Sequence, residues 1–337
     1  EVSAAIADTK AQTAPGASQL TVDTIKSMSE NNAVAIVELF NTFLDARRVP
    51  DEMNEAILRL LPKSDQGLAD LDKVRPIALM ETLAKLYERV VIKRLTSTID
   101  KHALLDTSQY GAVAGGGCDA PLRVLADVME DARDSGQELH IVALDLKSAF
   151  DTCEYWSQAM SLKALGLPDE AVSLLVDLDA GSNNPADLRE GPGATTKVIL
   201  GAGRMSPAFS HGRGVRQGSV GGPIKWVIFM NFWLKWILKS MKGKGYRMVA
   251  DKNAEFMAQM FVDDSIWACR NVEAAQELIR RVELFCDFHS IVINKNKSEY
   301  MSMNDPGTQV RWTPPRDAEG KRGQGHLGKV FPRTGTT

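Results

Sequence analysis

The chain has 337 residues, 44% of them hydrophobic and 25% charged, with a formal net charge of −3. That length supports two or three structural units around a sizeable core, and the composition is that of a water-soluble globular protein rather than a disordered, collagenous or membrane-embedded one. The small net charge argues against a uniformly basic nucleic-acid binder, although the distribution of charge decides more than its sum.

Glu1 to Ser18 is polar and Ala-rich and lacks a secretory-signal pattern. Residues 1–20 are expected as a flexible lead-in, with a turn at Pro15-Gly16. Thr21 to Leu44 has a helical pattern, and Ile57 to Pro62 is a short, mostly apolar run. A long helix is predicted from about Leu79 to Ala103, where Leu83, Leu86, Val90, Val91 and Leu95 recur mostly at three- and four-residue steps. Gly111 to Gly117 is a loop with four glycines in seven residues, but it lacks the Gly-Lys-Ser/Thr ending of a phosphate-binding P-loop. Leu139 to Leu144 reads as a buried strand ending on Asp145. Helices are expected over Cys153–Leu165 and Glu170–Leu178, then a loop over 179–213 with a hairpin at Thr195 to Leu200.

Gly222-Pro223 leads into an amphipathic helix over 224–241. Its most apolar part, Trp226 to Leu238, is interrupted by Asn231 and Lys235 and is too short to span a bilayer, so no membrane partner is expected. Phe256 to Val262 and Ser265 to Cys269 read as two strands with Asp263-Asp264 at the tight turn between them. Asn271 caps a helix with an apolar stripe at Ala275, Leu278, Ile279, Val282, Phe285 and Cys286, and Ile291-Val292-Ile293 reads as a closing strand. From Asp305 the chain is polar, without periodicity. Cys118, Cys153, Cys269 and Cys286 show no paired spacing, so neither a zinc site nor a disulfide framework is signalled and an intracellular setting is the default.

Two adjacent carboxylates at a strand end pose an electrostatic problem. At about 4 Å they repel by about 4 kcal/mol in a partly shielded site. A proton, water or a cation must relieve this, and the last option makes Asp263-Asp264 a candidate divalent-metal site. Strand, helix, hairpin, helix, strand is close to a split β-α-β layout, which would bring Asp145 to the hairpin. Alone, Asp145 equally suits a helix cap or an Arg partner; with Asp263 and Asp264 it completes a set able to hold two Mg²⁺, with Mn²⁺ as a substitute. Gly191 to Ala250 contains ten Lys or Arg and no acid, leaving −13 on the rest of the chain. Such a window suits a polyanion, and equally a solvated basic face.

Three segments carry a family resemblance. Asp145-Leu146-Lys147-Ser148-Ala149-Phe150-Asp151, Arg216-Gln217-Gly218-Ser219-Val220-Gly221-Gly222-Pro223 and Phe261-Val262-Asp263-Asp264 resemble, in order, the central motifs of reverse transcriptases, most closely those of non-LTR (LINE-type) retrotransposons. Leu61-Pro62-Lys63, Val74 to Leu79, Glu88 to Leu95 and Gln109-Tyr110-Gly111 resemble upstream motifs of the family. Ala14-Pro15-Gly16 resembles its opening segment and Ile293 to Glu299 its fourth palm motif.

The resemblance implies an α+β right-hand polymerase with fingers over 21–138, a palm of split β-α-β type over 139–303 (insertion 179–215) and a tail or incomplete thumb over 304–337. It implies RNA-directed DNA synthesis from dNTPs on an RNA template and DNA primer, in the nucleus. Asp145, Asp263 and Asp264 would be the metal-binding catalytic acids. Lys63, Arg75, Phe150, Gln217, Gly218 and Lys297 would contact the nucleotide, Phe150 as a ring that excludes a ribose 2′-OH. Asp151 reads as structural. Ser219-Val220-Gly221-Gly222 departs from the family's usual polar-Pro-Leu-Ser stretch, and Ala112 to Cys118 departs from the usual fingers loop. A non-catalytic relic that binds nucleic acid, an intron maturase-type enzyme and an RNA-directed RNA polymerase are the competing readings.

Overall fold

Apolar residues at helical spacing form helices here, and short apolar runs bounded by polar residues form strands. The structure is a computed structural model that describes residues 1–28, 30–62, 74–111, 117, 119–147, 149–181, 194–201, 203–249, 255–305 and 309–313. In chain order the elements begin with α1 (Val2–Asp8), α2 (Val22–Lys26), α3 (Glu30–Ala46), β1 (Ala56–Pro62), β2 (Val74–Met80), α4 (Thr82–Lys101) and α5 (Asp119–Ser135). There follow β3 (Leu139–Leu144), β4 (Leu146–Lys147), α6 (Ala149–Thr152), α7 (Tyr155–Ala164), α8 (Asp169–Ala180), β5 (Thr195–Gly201), β6 (Arg204–Met205) and β7 (Phe209–Ser210). The remainder is α9 (Gly222–Ser240), β8 (Tyr246–Arg247), β9 (Glu255–Phe256), β10 (Ala258–Phe261), β11 (Asp264–Cys269), α10 (Val272–Phe288), β12 (Val292–Ile293) and β13 (Glu299–Met303).

The chain divides into two compact units, each built from two segments: 1–104 with 150–226, and 105–149 with 227–337. The boundaries expected at 138 and 303 run along the chain, whereas these units interleave. The first unit carries a sheet in the order β2-β1-β5-β6, with β7 on β5. At the hairpin expected over Thr195 to Leu200 lies β5, which pairs antiparallel with β6 and β7 and also runs parallel to β1, with Ala56 opposite Thr196. The expected lead-in is also corrected. Glu1 pairs with Arg94, Ala5 is buried, and Gly16 lies so close to α4 that a Cβ there would sit 2.7 Å from the Glu81 nitrogen. Burial of Ala5 and satisfaction of Glu81, whose carboxylate accepts the Ser18 N–H at 2.8 Å, hold this segment on α4.

The second unit is built on the sheet β10-β11-β3-β13. Trp267 on β11 and Trp233 on α9 are fully buried and meet edge to face at 5.5 Å, an arrangement worth about 1 kcal/mol beyond burial. Asn271 caps α10 through the Ala274 N–H at 3.0 Å, and the predicted stripe from Ala275 to Cys286 is buried. The closing strand is displaced from its expected place. β12 pairs with β4 outside the main sheet, and β13 forms the edge, with Tyr300 opposite Val142. The helix α5 has no counterpart in the sequence reading. Among the described residues no helix is long and apolar enough to cross a membrane.

Candidate active site

In the second unit, Phe261 pairs with Asp264 and Ser265 with Leu144. The hairpin loop is therefore the two residues Val262-Asp263, and the register carries Asp145, which follows Leu144, to the level of Asp264. Like charges facing each other across strands are unfavourable. Burial, opposed by the residue's own backbone hydrogen bond, raises the Asp263 carboxyl above its usual range, and the charges of Asp264 and Asp145 raise it further. Asp145 and Asp263 are half-buried and Asp264 is exposed. Among the described residues none of the three has a cationic side chain as partner.

The turn that presents these acids is strained. Val262 has a φ of 62°, a left-handed conformation rare for a β-branched residue. It is held by Gln109, a residue the sequence reading placed in a fingers motif without a role in the site. Gln109 is 3% exposed; its Oε1 accepts the N–H of Val262 at 3.2 Å, and its Nε2 donates to the Val262 carbonyl at 3.4 Å. The Tyr110 N–H donates to Met260 and the Met260 N–H to Ser108, both at 2.8 Å, so residues 108–110 run along β10 like a further strand. Gly111 is required beside them, because a Cβ there would lie 2.3 Å from the Val262 nitrogen. The glycine was the available signal for Gln109: it demanded a close backbone neighbour.

The turn carrying Lys297 is tied to Asp145. The Asn294 N–H donates to the Asp145 carbonyl at 2.8 Å, and the Asp145 N–H donates to Ser298 Oγ at 3.2 Å. Lys297 itself is exposed. Carboxylate oxygens are hard donors and suit Mg²⁺ or Mn²⁺. The acids Asp145, Asp263 and Asp264 thus fit such ions in chemistry and mutual repulsion. Among the described residues, however, the group that brings three ligand atoms within 4.8 Å of one another is a different one, Glu138, His140 and Asp305.

The remaining candidates belong to the first unit. Lys63 lies outside the described residues. Arg75 is exposed on β2 and forms no ion pair among the described residues. Phe150 is half-buried with its ring 5.5 Å from that of Trp226, so part of it is core. The Gln217 carbonyl accepts the Ala78 N–H at 2.7 Å, and its amide donates to Asp151 at 3.1 Å. Gly218 has a φ of 121°, and a Cβ there would lie 2.5 Å from the Ala78 oxygen, so no other residue fits. Pro76, Asp151, Tyr155, Arg213 and Gln217 help line a cavity of about 230 Å³ beside this loop.

Residues 61–321 match the family described as reverse transcriptase (RNA-dependent DNA polymerase). The chain belongs to the reverse transcriptase family. It is 26% identical over 273 residues, 81% of this chain and 24% of the relative, to the Pol polyprotein of the type-1 retrotransposable element R2 of Nasonia vitripennis. It is 26% identical over 229 residues, 68% of this chain and 24% of the relative, to the RNA-directed DNA polymerase from mobile element jockey of Drosophila melanogaster. These relatives agree with the non-LTR resemblance, and the chain spans about a quarter of their length. Apo telomerase from Candida tropicalis matches with a TM-score of 0.53 at 13% identity, over 78% of this chain and 53% of that one. Telomerase from the same organism in complex with a telomeric RNA fragment matches with a TM-score of 0.55 at 11% identity, over 87% of this chain and 47% of that one. The fold is that of a right-hand polymerase. Reverse transcriptases use divalent metal ions.

Within this member of the reverse transcriptase family, one departure from the family pattern has a local cause. Glu88 on α4 is fully buried and accepts the N–H of Val220 at 2.9 Å and the hydroxyl of Ser219. A proline at 220 would have no N–H to give. A Cβ at Gly221 would sit 2.9 Å from Glu88 Oε1 and 2.6 Å from Ile92 Cδ1. Ser219, Val220 and Gly221 thus fit a buried carboxylate. Its charge is met by Lys225, 3.4 Å away, which also pairs with the buried Asp179. Burial pulls the Lys225 pKa down, but Asp179 and Glu88 outweigh it and hold it above its usual value. Arg216 completes the cluster by donating to the carbonyls of Asn54 at 2.8 Å and Asp179 at 3.3 Å. The acid-free window is therefore not one basic surface. Lys225 and Arg216 are buried, Lys197 pairs with Glu55 and Arg213 with Glu154, while Lys239, Lys242 and Arg247 are exposed.

Proposed function

We propose that this chain is the catalytic core of an RNA-directed DNA polymerase that extends a DNA primer with dNTPs on an RNA template, using two Mg²⁺ ions. The observation that carries this is the convergence of Asp145, Asp263 and Asp264 at one end of the sheet, with mutual repulsion and no cationic side chain among the described residues to relieve it. Asp145 and Asp263 would hold the ions, with Asp264 as a further carboxylate. When bound, the ions lower the pKa of the primer 3′-OH and neutralise charge on the departing pyrophosphate. Lys63 and Arg75 would bind the triphosphate of the incoming nucleotide, Arg75 through its planar fork. Phe150 would reject a 2′-OH by sterics, Gln217-Gly218 would approach the nucleotide through backbone left bare by glycine, and Lys297 would neutralise or protonate the leaving pyrophosphate. The same reading places its work in the nucleus.

The test is extension of an oligo(dT) primer on poly(rA) with dTTP and Mg²⁺. Extension by the intact chain and its loss in Asp263→Asn support the proposal. Salt-sensitive RNA binding without extension, unchanged when all three acids become Asn, would instead favour the non-catalytic relic.

A further inference from the structure

At the far end of β3 from Asp145, His140 is fully buried and faces two carboxylates. Its Nε2 lies 3.6 Å from Glu138 Oε2 and 3.8 Å from Asp305 Oδ2 and has no hydrogen-bond partner. Its Nδ1 is 2.7 Å from the hydroxyl of Tyr300, the residue that pairs with Val142 on the neighbouring strand. A protonated Nε2 aimed at a carboxylate would draw it to about 2.8 Å, the length of a charge-assisted bond. Neither carboxylate comes so close. The contacts fit the other tautomer, with Nδ1–H donating to Tyr300 and a bare lone pair on Nε2. A lone pair between two carboxylates is repulsive in all directions, and a cation held by all three groups would relieve it.

We propose that Glu138, His140 and Asp305 form a binding site for a divalent transition-metal ion of the Zn²⁺ class, separate from the polymerase acids. One imidazole and two carboxylates are a borderline donor set, suited to Zn²⁺ or its neighbours rather than Mg²⁺. Tetrahedral ligands at about 2.1 Å from a zinc ion lie about 3.4 Å apart. The two measured spacings need to contract by only a few tenths of an ångström. Tyr300 would be the outer partner that orients the ring and fixes its tautomer. The side chains of Glu138 and Asp305 are 51% and 24% exposed while His140 is closed off, so an ion can enter from the carboxylate side and keep an open coordination position. Met303 pairs with Leu139, so such an ion would join the end of β13 to the start of β3, about 17 Å along the strand from Asp145. Its role would be to brace the strand that carries a catalytic acid.

The experiment uses the full chain with Asp145, Asp263 and Asp264 all changed to Asn, which removes the other carboxylate set. Zn²⁺ is titrated calorimetrically, and Co²⁺ is followed by its visible absorption. One Zn²⁺ per chain, micromolar or tighter, is expected in this background and in the wild type. Glu138→Gln with Asp305→Asn, neither at a fully buried position, should weaken it at least about 10-fold and abolish the Co²⁺ bands. His140→Gln should do the same, and the acid pair keeps the test decisive if that buried variant does not fold. Absence of Zn²⁺ binding, or binding unchanged by the Glu138→Gln/Asp305→Asn pair, overturns the site. Primer extension is not read, so the outcome is independent of the proposed polymerase activity.

Discussion

The two units treat clustered acids in opposite ways. In the first, Glu88 and Asp179 are fully buried and answered by Lys225 and Arg216 from the same chain. In the second, Asp145, Asp263 and Asp264 meet at a strand end, partly open to solvent, with no side-chain cation among the described residues. A buried charge without a partner costs several kcal/mol, so the first cluster has to be neutralised internally for the unit to fold. The second can stay uncompensated because it is wet, and that leaves it open to a diffusible ion. The difference separates carboxylates that shape a loop from carboxylates available for chemistry.

The comparison breaks first at Asp263. Asp263→Asn should lower primer extension by on the order of 10³-fold or more. It should also raise the melting temperature of the metal-free protein at neutral pH. The folded carboxyl titrates above its unfolded value, so the native state binds more protons than the unfolded one and loses stability as pH rises through that window. A lower melting temperature in EDTA would show that the charge is not a liability. In the first unit, Lys225→Met should have the reverse pattern: a loss of about 3–5 kcal/mol in urea unfolding, because Glu88 and Asp179 are left buried and underpaired. Stability unchanged in that variant would mean the cluster is not closed off from water.

His289 gives a third treatment of a buried ionisable group, neutrality. Burial among aromatic rings lowers its pKa to about 4. The unfolded chain takes up this proton near pH 6.5 and the native state does not, so stability falls as pH drops from 6.5 towards 4, by roughly 3 kcal/mol in full. His289→Phe should flatten that slope in melts followed across this range. The smallest effect is expected at Gln109. Gln109→Ala leaves the N–H and carbonyl of Val262 without their partner and should cost about 1–3 kcal/mol, together with a loss of extension through misplacement of Asp263. Full activity in that variant would mean the turn holds itself.

Much of the second unit was legible in the sequence. The strand before Asp145, the hairpin at Asp263-Asp264 and the stripe of α10 follow from apolar periodicity and a cap, which are local properties. The edge strand was misplaced by several residues because Ile291-Val292-Ile293 is the more apolar run, while in β13 only Tyr300 is fully buried. The start of the chain was misread as loose because Ala-rich segments show little moment; the partners that hold it, Glu81 and Arg94, lie far along the sequence. The acid-free window overstated a basic surface for the same reason: Lys225 meets Glu88 and Asp179, and Arg216 the carbonyls of Asn54 and Asp179, far along the chain.

Sequence by itself determined the family and singled out the acids as candidates, since motif order and a charge pair closing an apolar strand are properties of neighbours along the chain. Tertiary structure alone decided that Gln109 grips the Val262 turn, that Glu88 calls for Ser219, Val220 and Gly221, and that His140 faces Glu138 and Asp305. Each of these depends on which atoms share a few cubic ångströms. Hydrogen bonds and buried charges act over about 3–4 Å, and the chain brings together at that range residues that lie more than a hundred positions apart.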